Sequence, residues 1–191
     1  MSGYYQPVAI KAPEGALVAL AEGEGFSEPR PTPQMIGMLV APVYRFEVTR
    51  IPGHPGMEVY PTVEVIDRIY PPPGCELKFP IPITITHDEL ELALAGKYVT
   101  RVIYLEDPDR ALPYAQPADE ESWFEIEPGD DPLAVADRMG RPVAILRIGG
   151  RLPGSAGPDA AFLYGSPPAV LFHESDEHVQ PPIEEPASAV R

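Results

Sequence analysis

The chain has 191 residues, enough to bury a sizeable core in one domain with tails and too few for two full domains. Apolar residues make up 44%, and the 27 prolines and 16 glycines fall just short of the composition of low-complexity disorder, so a globular chain with proline-rich loops is expected. A formal charge of −15 argues against binding nucleic acid, whose phosphates need compensating Lys and Arg, and disfavours anionic membrane surfaces.

Residues 1–34 alternate short apolar pieces, 8–10 and 16–20, with turn material. They end in the run Glu28-Pro29-Arg30-Pro31-Thr32-Pro33, and read as an N-terminal arm with the first short strands, feeding into a sheet. Residues 35–172 form the β-rich globular part. Residues 35–40 are a short apolar run, and in residues 43–51 Tyr44, Phe46 and Val48 alternate with Arg45, Glu47 and Thr49, the period of a half-buried strand. The turn Pro52-Gly53-His54-Pro55-Gly56 leads to residues 57–68, where Met57, Val59, Pro61, Val63 and Val65 share a face. The two segments predict a hairpin, with a bulge or an edge at Pro61.

Residues 77–107 read as strand, short helix, strand. Leu77, Phe79, Ile81, Ile83 and Ile85 alternate with polar and proline residues, and Pro80 with Pro82 removes two donors from one side, which predicts an edge strand blunted against aggregation. Thr86 and Glu89 have the spacing of a capping box, opening a helix with Leu90 and Leu94 on one face and a stop at Gly96. Asp88, Glu89 and Glu91 complement the positive end of that helix. Residues 99–105, β-branched and aromatic, predict a more central strand.

Residues 108–122 are polar and irregular, and 123–126 read as another short strand. Asp131 is a suitable N-cap, Pro132 fits the first helical position, and Gly140 the C-terminal stop, so a second short helix is expected there. Residues 143–148 predict a strand, 149–158 a flexible loop, and 162–164 with 170–172 a last apolar pair. Residues 173–191 are acidic and proline-rich and read as a disordered tail. Several short strands between turn signals, with two short helices, predict a mainly β fold: a β-sandwich or open barrel of short antiparallel strands, with α+β as the alternative. The first residues lack the basic start and apolar core of a signal peptide, and no apolar run is long enough to span a bilayer.

The candidate chemistry is sparse. Cys75 is the single cysteine and sits in a turn, so no internal disulfide forms. His173 and His178 resemble a zinc-protease motif, but at i and i+5 they fall about 140° apart around a helix and share no face. Glu106, Asp107 and Asp109 lie where a strand ends, offering oxygens for Ca²⁺ or a carboxylate for glycoside chemistry, although Asp-Pro is also ordinary turn chemistry. Gly149, Gly150, Gly154 and Gly157 follow a strand as a phosphate loop would, yet no Lys-Ser/Thr follows. Ser166 lacks a nucleophile elbow, and Pro167 after it removes a donor an oxyanion hole would need. Tyr44, Tyr60 and Tyr104 fall within strands and read as packing residues. No catalytic, cofactor-binding or metal-ligating residue is assigned.

The segments YPTVEVIDRIYPPPG, FPIPITIT, VTRVIYLEDP, PGDDPLAVADRMGRPVAILRIGGR and FLYGSPP together resemble an uncharacterised bacterial family associated with the cell envelope, over most of residues 5–170. The resemblance implies an exported or lipoprotein-like protein in the envelope or periplasm. Its members carry an upstream export signal, which this chain lacks at Met1, so a cytoplasmic location is the alternative. It transfers no activity, substrate or site residue. The leading expectation is a non-enzymatic structural or interaction module of the bacterial cell envelope, with a protein or glycan partner and no nucleic acid. The alternatives are a glycan-acting hydrolase using paired carboxylates among Glu106, Asp107 and Glu125, and a Ca²⁺-stabilised binding domain.

Overall fold

The computed structural model describes residues 4–107, 125–127 and 129–172. One sheet has four strands in the order β11 (Ala169–Phe172), β5 (Gln34–Met38), β1 (Gln6–Lys11) and β8 (Ile81–Thr84). The other runs β3 (Gly25–Phe26), β2 (Leu17–Glu22), β6 (Val43–Thr49), β7 (Thr62–Val65), β10 (Gly140–Ile148) and β9 (Val99–Glu106), with β4 (Arg30–Pro31) also on β2. Val8, Ile10, Ile36, Ile81 and Ile83 of the smaller sheet share one buried core with Val18, Phe46, Val63, Leu146 and Ile148 of the larger. Neither sheet closes into a barrel. The fold is mainly β, a sandwich-like α+β arrangement with two short helices, α1 (His87–Leu94) and α2 (Pro132–Met139), among the described residues. No helix among them is long and apolar enough to cross a membrane.

The expected set of antiparallel strands needs one correction: β1 and β8 pair in parallel, Val8 opposite Ile81 and Ile10 opposite Ile83. Parallel neighbours require a long crossover, and the chain makes it by passing through the larger sheet between them. Residues 6–31 thus supply one strand to the middle of the smaller sheet and three, β2, β3 and β4, to the larger.

The strand–helix–strand unit spans both sheets. Ile81, Ile83 and Ile85 are buried as the alternation predicts, and β8 is an edge. Glu76–Lys78, however, is a 3-10 turn and Phe79 is 51% exposed. Pro80 disfavours helical backbone at the residue before it, so the turn ends there and the alternation starts only beyond it. The capping box forms: the Glu89 N–H donates to Thr86 Oγ1 at 3.2 Å and the Thr86 N–H donates to Glu89 Oε2 at 2.9 Å. Leu90 and Ala93 seat α1 in the core. β9, expected to be central, is instead the outer strand of the larger sheet, paired among the described residues with β10 alone. Of its apolar residues, Val99, Ile103 and Leu105 pack against the main core, and α2 lies alongside the strand. Opposite Leu146 in the register, the Arg101 guanidinium donates to the Thr84 carbonyl of β8 and lies 3.7 Å from Glu89 Oε1, tying the two sheets together beside α1.

The β6–β7 hairpin is present, and it runs through Pro61 without a bulge. Tyr44 faces Val63 and Val48 faces Val59 in one register, and the Phe46 N–H donates to the Pro61 carbonyl at 2.9 Å. Proline deletes one donor there without displacing the strand. The bulge falls at Pro142 instead, where the β9–β10 register shifts before Ala144. Asp131 caps α2 by accepting from the Leu133 N–H at 3.0 Å. Gly140, expected to end that helix in the left-handed region, is extended at φ 175°; a Cβ there would lie 2.0 Å from the Leu105 carbonyl oxygen, and that close approach is what requires glycine. Of the strand expected at 123–126, Trp123 and Phe124 lie outside the described residues, and 125–127 carries no strand.

Candidate functional site

Three groups of side chains collect chemistry on this scaffold. The first joins the β6–β7 loop to α1. Gly53 and Gly56, at φ 79° and 75°, turn the loop tightly, and the His54 N–H donates to the Ile51 carbonyl at 3.0 Å while the Met57 N–H donates to the His54 carbonyl at 3.2 Å. The loop borders an open hollow of about 530 Å³ lined by Thr49, Ile51, Pro55, Met57 and Glu58, among others. On α1, His87 and Glu91 are one turn apart and share a face. Glu91 Oε1 is 3.3 Å from His87 Nε2 and 3.6 Å from His54 Nε2, and one donor atom from each of the three residues lies within 4.8 Å of the others. The imidazole centroids are 6.2 Å apart with the rings tilted by 40°. His87 Nδ1 is buried and has no hydrogen-bond partner among the described residues.

The second group lies on the face of the larger sheet turned away from the main core. Ala21, Tyr60, Phe162 and Leu163 form a separate buried cluster with Phe26 against it. Arg45 is buried beneath it: its Nε donates to the Phe162 carbonyl at 2.6 Å, its NH1 to the Tyr60 carbonyl at 2.8 Å, and its guanidinium sits 4.3 Å from the Phe162 ring centroid. Burial pulls the guanidinium below its usual range, with Tyr164 opposing the shift; the group stays cationic. At the rim, the Tyr60 hydroxyl donates to Glu58 Oε2 at 2.5 Å and lies 3.3 Å from Glu47 Oε1. Burial first, and the neighbouring Glu58 charge second, push the Glu47 carboxyl up, against the lowering effect of the Tyr60 hydroxyl. Burial and the two carboxylates likewise raise the Tyr60 hydroxyl. A hydroxyl carries one proton, so Tyr60 donates to one of the two carboxylates at a time, with Glu58 the nearer. Because the Tyr60 hydroxyl fills the gap between these carboxyls, they are not placed around a scissile bond.

The third group is a ladder of rings and guanidinium groups at the other end of β7. The Arg68 guanidinium lies 3.4 Å from the Tyr4 ring centroid and 5.4 Å from that of Tyr70, and Arg141 lies 5.6 Å from Tyr70. Gln6, buried in β1, accepts from the Ile69 N–H at 2.8 Å and so fixes the segment that presents Tyr70, which is 70% exposed. Arg141 donates to an Asp67 carboxylate oxygen and, at 2.9 Å, to the Arg68 carbonyl. Although desolvation acts to raise it, the Asp67 carboxyl is held below its ordinary value by the Arg68 N–H and by Arg141. Arg68 Nε is buried without a hydrogen-bond partner among the described residues.

The residues singled out from sequence are scattered over the fold. Glu106 is exposed at the end of β9, Asp107 follows it, and Glu125 is exposed in a segment without regular structure. Asp109, His173 and His178 lie outside the described residues. Asp131 serves as the helix cap, and Cys75 as the residue before the 3-10 turn. The Ser166 hydroxyl donates to the Gly23 carbonyl at 2.8 Å and helps to pin the Phe162 segment. Tyr44 is wholly buried, as expected, its hydroxyl accepting from the Leu39 N–H and donating to the Pro168 carbonyl, each at 2.8 Å. Sequence reasoning missed the convergence of His54 with His87 and Glu91. One local signal for it existed, a His and a Glu four apart on a well-capped helix; nothing local pointed to His54. Compared with protein-family models, curated proteins and solved structures, the chain matches none.

Proposed function

We propose that the protein is a non-enzymatic interaction module of the bacterial cell envelope, engaging its partner through the Tyr4–Arg68–Tyr70–Arg141 ladder. The observation that carries this reading is the exposure of Tyr70 between two arginines, on a segment held rigid by Gln6. Tyrosine and arginine dominate the energetics of protein interfaces because each offers a large, stiff contact area with polar edges. In a chain of net charge −15 the ladder sets two guanidinium groups against one carboxylate, Asp67, a locally positive spot suited to a partner that presents carboxylates. The envelope location rests on the family resemblance of residues 5–170.

A photo-crosslinking residue placed at Tyr70 in native cells tests the reading, with the same probe at exposed Glu14 as control. An adduct with an envelope component specific to the Tyr70 probe is expected. Equal labelling from both positions would reject the ladder as the interface, and fractionation that left the chain wholly in the cytosol would reject the envelope.

A further inference from the structure

We propose that His54, His87 and Glu91 form a binding site for one divalent transition-metal ion, Zn²⁺ foremost, which clasps the β6–β7 loop to the first turns of α1. Two imidazoles and a carboxylate are a donor set that zinc accepts, and three protein donors leave its fourth position open to solvent. The spacing fits. Two donors each about 2.0–2.1 Å from a tetrahedral ion stand about 3.4 Å apart, and Glu91 Oε1 is 3.3 Å from His87 Nε2 and 3.6 Å from His54 Nε2. Both imidazoles aim at the same carboxylate oxygen, so a small movement of the Glu91 side chain opens a space bounded by all three.

Each donor is also held by its own element. The Thr86–Glu89 box fixes the first turn of α1, and two backbone bonds with two left-handed glycines fix the loop around His54. His87 and Glu91 one turn apart, plus a third donor from a distant segment, reproduce the logic by which helical pairs serve as metal ligands. The buried His87 Nδ1, with no partner among the described residues, leaves that ring uncommitted to one tautomer; with the proton on Nδ1, Nε2 presents a lone pair to the ion. The three side chains are 34%, 41% and 53% exposed, so an ion can enter from solvent. The proposal does not depend on the interaction reading, since the ladder involves none of these residues.

The chain has four histidines, so the full-length protein with His173→Ala and His178→Ala keeps only the two imidazoles in question. Zn²⁺ alone is the titrant, followed by calorimetry and thermal unfolding, with Co²⁺ absorption as a report of coordination. Saturable binding of one ion per chain is expected, with a rise in Tm of roughly 5–10 °C at a hundredfold excess over Kd. His54→Ala and His87→Ala should each abolish the rise and the tetrahedral Co²⁺ spectrum, and Glu91→Gln should weaken affinity at least tenfold. Because the three side chains are each at least one-third exposed, the metal-free melting of these variants should stay near that of the parent. Uptake that does not saturate, uptake lost with His173 and His178, or binding indifferent to all three substitutions would overturn the proposal.

Discussion

The two faces of the larger sheet are built on different principles. The inner face is mostly aliphatic: Val18, Phe46, Val48, Val63, Leu146 and Ile148 pack against the other sheet, and its buried Tyr44 hydroxyl is satisfied by the Leu39 N–H and the Pro168 carbonyl. The outer face is covered by a small cluster, Tyr60, Phe162 and Leu163, whose position depends on the buried Arg45 donating to two backbone carbonyls. An aliphatic face needs only shape and volume to hold its partner. The outer cover also needs its hydrogen bonds, because a buried carbonyl that loses its donor costs more than the bond itself contributed. The inner face is therefore tolerant of conservative exchange, whereas the outer one is specific and fragile toward loss of a single group.

That contrast can be broken most forcefully from the inside. Leu146→Ala, which empties part of the main core, should lower stability by about 2–5 kcal/mol in a denaturant titration. A loss under about 1 kcal/mol would mean that the inner face is not the principal core.

Arg45→Met keeps most of the side-chain bulk while removing both donors. It should cost about 2–3 kcal/mol, from the Phe162 and Tyr60 carbonyls left unpaired, and should loosen residues 160–165 ahead of the sandwich in hydrogen exchange. Were Arg45→Met neutral, the outer cover would be held by apolar contact alone, and the two faces would not differ in kind.

The smallest expected effect is a dependence on pH. In the folded state the Glu47 carboxyl is raised above its ordinary value, by burial first and then by Glu58. The native state therefore holds this proton more tightly than the unfolded chain, so the group's contribution to stability is full below the unfolded value and falls as pH rises through the folded one. Glu47→Gln should gain stability relative to the parent as pH increases across that window just above the ordinary carboxylate range, seen as a flatter slope in unfolding midpoints. An unchanged slope would show that Glu47 is not the group that titrates.

Much of the inner face was legible in the sequence, because alternation in residues 43–49 and 81–85, the Thr86–Glu89 spacing and the Asp131-Pro132 start are local signals with local causes. The same alternation placed Arg45 and Glu47 outward as solvated polar residues. They do lie on the outer face, but Arg45 is buried there, since nothing in residues 43–49 announces that residues 160–165 will fold over them. For the same reason β9 looked central: its β-branched and aromatic composition suits a pleated strand but does not say whether a second strand lies beside it.

Local chemistry, then, set the periods, caps and turns: side-chain direction along a strand and the first turn of a helix depend on residues within a few positions of one another. The parallel pairing of β1 with β8, the burial of Arg45, the ladder around Tyr70 and the meeting of His54 with His87 and Glu91 were decided only by the tertiary structure. Each joins segments whose separation along the chain carries no periodic signal, and each forms because two packed sheets bring their loops and edges to the same place.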